Sequence, residues 1–208
     1  MTNVLFIKAN SRPFEQAVSV KLYQTFLDSY KATNPEDNAT ELDLFEEKLP
    51  YYDLNMINGM FKLSKGMELT SDEKAATDIV NRYLNQFLAA DKIVFAFPLW
   101  NFTVPAVLHT YLDYLGQAGK TFRYTANGPE GLLSSKEVVL LNARGGVYSE
   151  GPAQSIEMAV NYVTAILNFW GIENIKTVII EGHNQFPDKA EAIIEKGLTE
   201  AKEVALAF

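Results

Sequence analysis

Short runs of β-favouring residues with no polar break, set between segments of helical periodicity, constrain this chain more than any other feature. Val4-Leu5-Phe6-Ile7, Ile93-Val94-Phe95-Ala96-Phe97 and Glu137 to Leu141 are such runs. A strand apolar at nearly every position has both faces buried, the condition of a parallel sheet covered by helices on two sides. The stretches between supply those helices. Val18, Leu22, Phe26 and Leu27 recur at helical spacing between about Glu15 and Tyr30, and Pro13 suits the entry. Thr70-Ser71-Asp72-Glu73 places hydroxyl and carboxylate caps before an amphipathic stretch to Leu88. Val104, Val107, Leu108, Tyr111 and Leu115 form a stripe closed by Gly116, and Ile156, Val160, Val163, Leu167 and Trp170 mark a helix stopped by Gly171. Lys189 to Leu206 is the last helix.

Glu41 to Phe45 alternates like an edge strand, and Ile175 to Ile180 closes the set. The resulting order, β-α five times over 208 residues without repeat or linker, predicts one α/β domain spanning 1–208. Its architecture is a doubly wound five-stranded parallel sheet in the order 2-1-3-4-5, with helices on both faces. Leu49 to Thr70 is long for a βα connection and carries Leu54, Ile57 and Phe61 at i, i+3, i+7. It reads as a lid, a dimer-contact arm or a loop folded over its own domain. Its apolar surface favours dimer contact.

Charge and cysteine usage narrow the chemistry. Formal charge is -8, from 26 acidic against 18 basic residues, with no basic cluster for a phosphate backbone, so nucleic acid is not an expected partner. No apolar run approaches the roughly 20 residues needed to span a bilayer, and the start reads directly into a strand, so the expected location is cytoplasmic with no membrane partner. The chain has no Cys, which removes disulfides, thiolate nucleophiles and thiolate metal sites. His109 and His183 are its two imidazoles, and no metal site is expected. Redox work requires a borrowed cofactor.

Parallel sheets of this kind bind ligands beyond the carboxyl ends of the strands, where strand order reverses. That fixes three segments: Ala9 to Ser19, Pro98 to Thr103 and Ala143 to Pro152. The first carries Asn10, Ser11 and Ser19 around a helix start, where free N–H groups favour a phosphate, although Ser11 serves equally as a plain cap. G-x-G-x-x-G and G-x-x-x-x-G-K-[ST] are both absent, so a single phosphate ester fits better than a dinucleotide or triphosphate. In the second, Trp100 and Phe102 separated by Asn101 break core periodicity and suit a flat ring with a polar rim. In the third, Gly145-Gly146 lets the backbone approach a planar ligand and aim N–H groups at it.

Phe97-Pro98-Leu99-Trp100-Asn101-Phe102, the run Thr121 to Leu132, and Ala143-Arg144-Gly145-Gly146 carry a resemblance that covers nearly the whole chain. They resemble the FMN-dependent NADH azoreductases, also described as FMN-dependent NADH:quinone oxidoreductases, of flavodoxin-like fold. The resemblance implies a homodimer with one FMN per subunit, partly covered by the neighbouring chain. NADH or NADPH is the implied donor, and quinones or aromatic azo compounds are the implied acceptors, in a ping-pong two-electron transfer. Carried over by position, the phosphate loop matches Ala17-Val18-Ser19, with Asn10 beneath it. The ring segments match Leu99, Trp100, Asn101 and Phe102, and Ala143, Arg144, Gly145 and Gly146. Ala17 stands where many relatives have a hydroxyl residue, and Ala143 where Ser is frequent.

No side chain is assigned as catalytic acid or base. Phe122, Tyr124 and Tyr162 are candidate walls of the acceptor pocket, with core packing as the alternative for each. His109, four residues before Asp113, is expected to pair with it on a solvated face or dimer seam. His183, just past the last strand, lies near enough to the binding edge to touch a ligand, with an ordinary loop role as the favoured reading. Two rivals stand beside the enzyme: a flavodoxin-like single-electron carrier, and a flavin-free hydrolase, which lacks a Cys nucleophile and a G-x-S-x-G elbow.

Overall fold

The computed structural model describes all residues from 1 to 208. Strands β1 (Asn3–Lys8), β2 (Asn38–Asp43), β3 (Lys92–Pro98), β6 (Glu137–Arg144) and β7 (Asn174–Glu181) form one sheet in the order β2-β1-β3-β6-β7. Every pairing in it is parallel. This is the expected 2-1-3-4-5 arrangement. A hairpin of β4 (Phe122–Thr125) and β5 (Gly128–Gly131), not assigned from periodicity, is inserted before the fourth sheet strand. The helices are α1 (Val18–Thr33), α2 (Leu54–Ser64), α3 (Ser71–Ala89), α4 (Ala106–Leu115), α5 (Val160–Phe169) and α6 (Ala190–Leu206).

Strand alternation sends neighbouring residues to opposite layers. Leu5, Ile7, Ile93, Phe95, Phe97, Val138 and Leu140 face the layer built by α3, α4 and α5, in a cluster of 29 buried residues. Val4, Phe6, Val94, Ala96, Val139 and Leu141 face α1 and α6, in a cluster of 17. The first layer is the thicker because α2 is added outside α3. Each buried Phe or Leu there contributes about 1.5–3 kcal/mol of hydrophobic stabilisation.

Several boundaries moved for local reasons. The first helix begins at Val18 rather than near Glu15, because Ala17 is extended (φ -133) between a 3-10 turn at Phe14–Gln16 and α1. The edge strand ends at Asp43, whose carboxylate accepts the Phe45 N–H at 3.1 Å and turns the chain. The expected start at Thr70 is a full capping box, with Thr70 Oγ1 accepting the Glu73 N–H and the Glu73 carboxylate accepting the Thr70 N–H. No helix is long and apolar enough to cross a membrane.

The Leu49–Thr70 segment folds over its own chain as α2. Gly59 makes this close docking on α3 feasible, since a Cβ there would meet Thr77 Cγ2 at 2.5 Å and the Glu73 carbonyl oxygen at 3.0 Å. Lys62 clamps the pair through Glu73 at 2.6 Å. The outer stripe of Leu54, Ile57 and Phe61 stays exposed.

Candidate functional site

At the carboxyl ends of β1, β3 and β6 lies a crevice of about 220 Å³. Asn10, Arg12, Ala17, Val18 and Ser19 form one wall; Pro98, Leu99 and Trp100 the second; Ala143, Arg144 and Gly145 the third; and His183 and Asn184 close the end. Nine of the twelve residues assigned to a cofactor from the sequence therefore meet in one place. Asn101, Phe102 and Gly146 sit on the same loops but do not line it.

The first wall is an anion site by backbone geometry. The N–H groups of Ala17, Val18 and Ser19 donate to no acceptor within the chain, and they open a 16-residue helix whose dipole favours negative charge. Asn10 acts beneath them as a stitch: its Nδ2 donates to Ser19 Oγ at 2.8 Å, and its Oδ1 accepts the Arg12 N–H at 2.9 Å. Arg12 adds a cation to the same wall.

The second wall is carried by a strained turn. Trp100 and Thr103 exchange both backbone hydrogen bonds, at 2.9 and 3.0 Å, with Asn101 and Phe102 at positive φ of 48° and 69°. Two consecutive left-handed residues define a type I′ turn, for which Asn is suited and Phe is not. The turn displays Trp100 against Phe45 (centroids 6.1 Å) and Phe102 against Tyr148 (6.4 Å). Trp100 faces the crevice while Phe102 stands at its rim, so the two do not clamp one ring from opposite sides within a single chain.

On the third wall, Gly145 is required by the chain itself. A Cβ there would lie 2.9 Å from Asn184 Cγ, so this glycine admits the neighbouring loop, a role separate from ligand approach. The N–H groups of Gly145 and Gly146 remain without acceptors in the chain. Arg144 is almost fully buried, and its guanidinium is spent on two carboxylates: Nη1 on Glu157 at 3.1 Å, Nη2 and Nε on Glu181 at 2.8 and 2.9 Å. Burial would raise the Glu181 carboxyl, but hydrogen bonds from Ser149 and the Tyr148 N–H, together with Arg144, hold it below its usual value.

Of the two readings of His183, the structure puts it at the binding edge. It forms part of the crevice wall, its Nδ1 is buried without a partner, and burial pushes its pKa down. Its position after the last strand was the available signal. Arg12 was signalled by a cation just before a helix start, whereas Asn184 gave none, because its role depends on a neighbour 39 positions away.

The acceptor-wall candidates lie elsewhere. Phe122 and Tyr162 line an apolar groove of about 480 Å³ between α4, α5 and the hairpin, together with Leu112, Ile166, Phe169 and Trp170. Tyr124 is 75% exposed and touches the groove only by an edge-on contact with Phe122 at 5.4 Å. His109 does not bond Asp113. Its Nδ1 lies 3.1 Å from Tyr162 Oη and its Nε2 lies 3.3 Å from Thr103 Oγ1, so it links the groove to the 100–103 turn.

Comparison with known proteins agrees with this architecture. Residues 2–205 match the Flavodoxin_2 family, described as having a flavodoxin-like fold. The chain is 63% identical, over 100% of both lengths, to FMN-dependent NADH:quinone oxidoreductase 3 of Bacillus thuringiensis subsp. konkukian (strain 97-27). It is 59% identical, again over both full lengths, to FMN-dependent NADH:quinone oxidoreductase 1 of Bacillus subtilis (strain 168). Its structure matches that of azoreductase from Bacillus anthracis str. Sterne with a TM-score of 0.98 at 63% identity, covering 100% of both chains. It also matches an FMN-dependent NADH-azoreductase from Bacillus anthracis str. Ames Ancestor in complex with FMN, with a TM-score of 0.89 at 28% identity, covering 99% of this chain and 98% of that one. A five-stranded parallel sheet in this order and a family match across almost every residue make the chain a member of the flavodoxin-like fold family.

Proposed function

We propose that this chain is an FMN-dependent NADH oxidoreductase that reduces quinones and aromatic azo compounds, working as a cytoplasmic homodimer. The observation that carries the reading is the crevice itself. Three unpaired N–H groups beside Arg12 suit a phosphate monoester, and Trp100 and the unpaired N–H groups of Gly145 and Gly146 suit a flat heterocycle with a polar edge. Bound FMN supplies the ability to accept a hydride and release both electrons.

The residues divide the remaining work. Ala17, Val18, Ser19 and Arg12 would hold the phosphate, while Leu99, Trp100 and the Ala143–Gly146 segment would hold the ring. Fixed N–H donors at Gly145 and Gly146 favour negative charge on whatever they face, without a titrating side chain. No acid or base from the chain is assigned. Reduced nicotinamide is a small diffusible coenzyme of the cytoplasm, and the location belongs to the same reading.

The homodimer rests on size and surface. The crevice is smaller than the roughly 300–1,000 Å³ typical of a closed small-molecule pocket, so one chain leaves the ring side open. The apolar groove at Phe122 and Tyr162 and the exposed stripe of α2 supply surface for a second copy, whose approach would complete an acceptor pocket with Phe122, Tyr124 and Tyr162.

The test is anaerobic stopped-flow mixing of the FMN-loaded protein with NADH, followed by quinone. The expected course is full bleaching of the flavin absorbance, then recovery on adding quinone, with parallel-line steady-state kinetics. A protein that stays oxidised with NADH would be a carrier, and the proposal would fail.

A further inference from the structure

Glu157 stands outside the crevice and lines none of it, yet it joins two of the three loops that form it. Its carboxylate is almost fully buried. Oε1 accepts the N–H groups of Ala159 and Val160 at 3.1 and 2.9 Å, and Oε2 accepts that of Asn161 at 3.0 Å, so one side chain closes the start of α5. The same Oε1 receives Arg144 Nη1 at 3.1 Å. The next residue then grips the strained turn: the Met158 N–H donates to the Phe102 carbonyl at 2.8 Å, and Thr103 Oγ1 donates to the Met158 carbonyl at 3.1 Å.

These bonds form a closed circuit. Arg144 continues to Glu181, which accepts the Tyr148 and Ser149 N–H groups at 2.9 and 3.2 Å and so shapes the loop after Gly146. Tyr148 returns to Phe102 by an edge contact at 6.4 Å. The rim of the crevice is thus held by one loop of contacts running 157, 144, 181, 148, 102, 158. Only Glu157 and Arg144 in this circuit bring a charge that is almost wholly removed from water.

Helix capping alone does not account for this arrangement. The N-cap residue of α5 is Ala159, which makes no side-chain cap; Ser or Asp at that position would cap the helix without burying a charge pair. A buried ion pair contributes little or nothing to stability compared with an apolar replacement of similar volume. What it adds is directional, since removal of either partner leaves the other uncompensated and releases the loops from one another.

We propose that Glu157 is a positioning residue for the flavin crevice, fixing Arg144 and the Trp100–Thr103 turn in one register. This rests on the reading of the crevice as an FMN site. It assigns Arg144 to the frame of that site and gives the strained turn the support that keeps Phe102 in the left-handed region.

The experiment compares Glu157→Gln with Thr70→Ala, which removes a helix cap remote from the crevice. Two readouts are taken on each: the FMN dissociation constant by fluorescence titration, and the visible circular dichroism band of the bound flavin. Glu157→Gln is expected to weaken FMN by roughly three- to thirty-fold and to change the band. Thr70→Ala is expected to lower the melting temperature and leave both readouts at wild-type values. Should Glu157→Gln fail to fold, Glu157→Asp, which keeps the charge on a shorter arm, and Glu181→Gln, which opens the circuit on its far side, carry the same test. Wild-type affinity and an unchanged band in the folded variants would reduce Glu157 to a helix cap and overturn the inference. A wild-type chain that bound no FMN would instead sink the cofactor reading.

Discussion

The crevice and the groove are both concave, yet they are finished to different degrees. The crevice is polar and bounded on three sides by loops held by hydrogen bonds, within the first wall from Asn10 to Ser19 and between segments from Leu99 to Ala143 and from Asn184 to Gly145. The groove is larger and walled by Leu112, Phe122, Ile166, Phe169 and Trp170, with Phe169 still 42% exposed. Polar walls complete themselves within one chain because hydrogen bonds are directional and saturable. An apolar wall is complete only when something covers it. The loops of the crevice are therefore held in place by their own chain, whereas the groove is left for another surface to cover.

The largest effect expected from this contrast comes from charging the groove. If a second copy covers the groove as proposed, Phe169→Asp should raise the dimer dissociation constant by about a thousandfold, some 4 kcal/mol, as loss of a central interface aromatic does. Sedimentation equilibrium reads this directly. A variant that stays dimeric at micromolar concentration would show the groove to be covered by something other than a second copy.

Charging the crevice should act in the opposite sense on the empty protein. Asp at position 17 would cap α1, which has no side-chain cap, and stabilise the apoprotein by about 1 kcal/mol. The same carboxylate would occupy the N–H groups offered to a phosphate, so Ala17→Asp should weaken FMN roughly a hundredfold, near 2.7 kcal/mol. Riboflavin, which lacks the phosphate, should bind much as it does to wild type. Equal losses for both flavins would place the anion site elsewhere.

How much of this was legible in the sequence follows the same division. The sheet order and the three loops could be read because fully apolar strands declare double burial, and because the switch point of such a sheet is fixed by topology. Thr70 and Glu73 announced their cap for a similarly local reason. The failures lie where a side chain answers to distant partners. The resemblance puts Arg144 in the ring segment and it does line the crevice, but nothing local announces that Glu157 and Glu181 hold its guanidinium. His109 was paired with Asp113 by helical spacing, but Thr103 and Tyr162 hold it. The hairpin of β4 and β5 escapes a reading by periodicity because its strands are four residues each and largely solvent-facing: Phe-Arg-Tyr-Thr alternates too briefly to stand out, and Gly-Pro-Glu-Gly has no apolar side chain to alternate beyond Pro129.

A smaller effect concerns the turn between the two concavities. Phe102 adopts a conformation that costs a non-glycine residue about 1–2 kcal/mol. Phe102→Gly should therefore be more stable than Phe102→Ala by about 1 kcal/mol, or roughly 2–4 °C in melting temperature for a chain of this size. Both lose the ring and its contact with Tyr148, so their difference isolates backbone strain. If the two melted together, the left-handed conformation would carry no cost, and the bonds from Met158 would have nothing to oppose.

The smallest effect is a difference of sign. Burial lowers His183 in the crevice from its ordinary 6.5, so the unfolded chain binds more protons just below that value. The stability it contributes is present above about pH 6.5 and is lost as the pH falls through the depressed folded value. Burial raises Asp113 at the groove above 3.8, against the lowering influence of His109. There the folded chain binds more protons, and stability falls as the pH rises from that value. Because Asp113 keeps much of its surface in water, its contribution is the weaker of the two. Urea unfolding between pH 4 and 7 should then show that His183→Gln flattens the rise in stability toward neutral pH, while Asp113→Asn makes it steeper. Identical profiles for both variants would mean that neither ionisation is coupled to folding, and the contrast between the crevice and the groove would lose its electrostatic support.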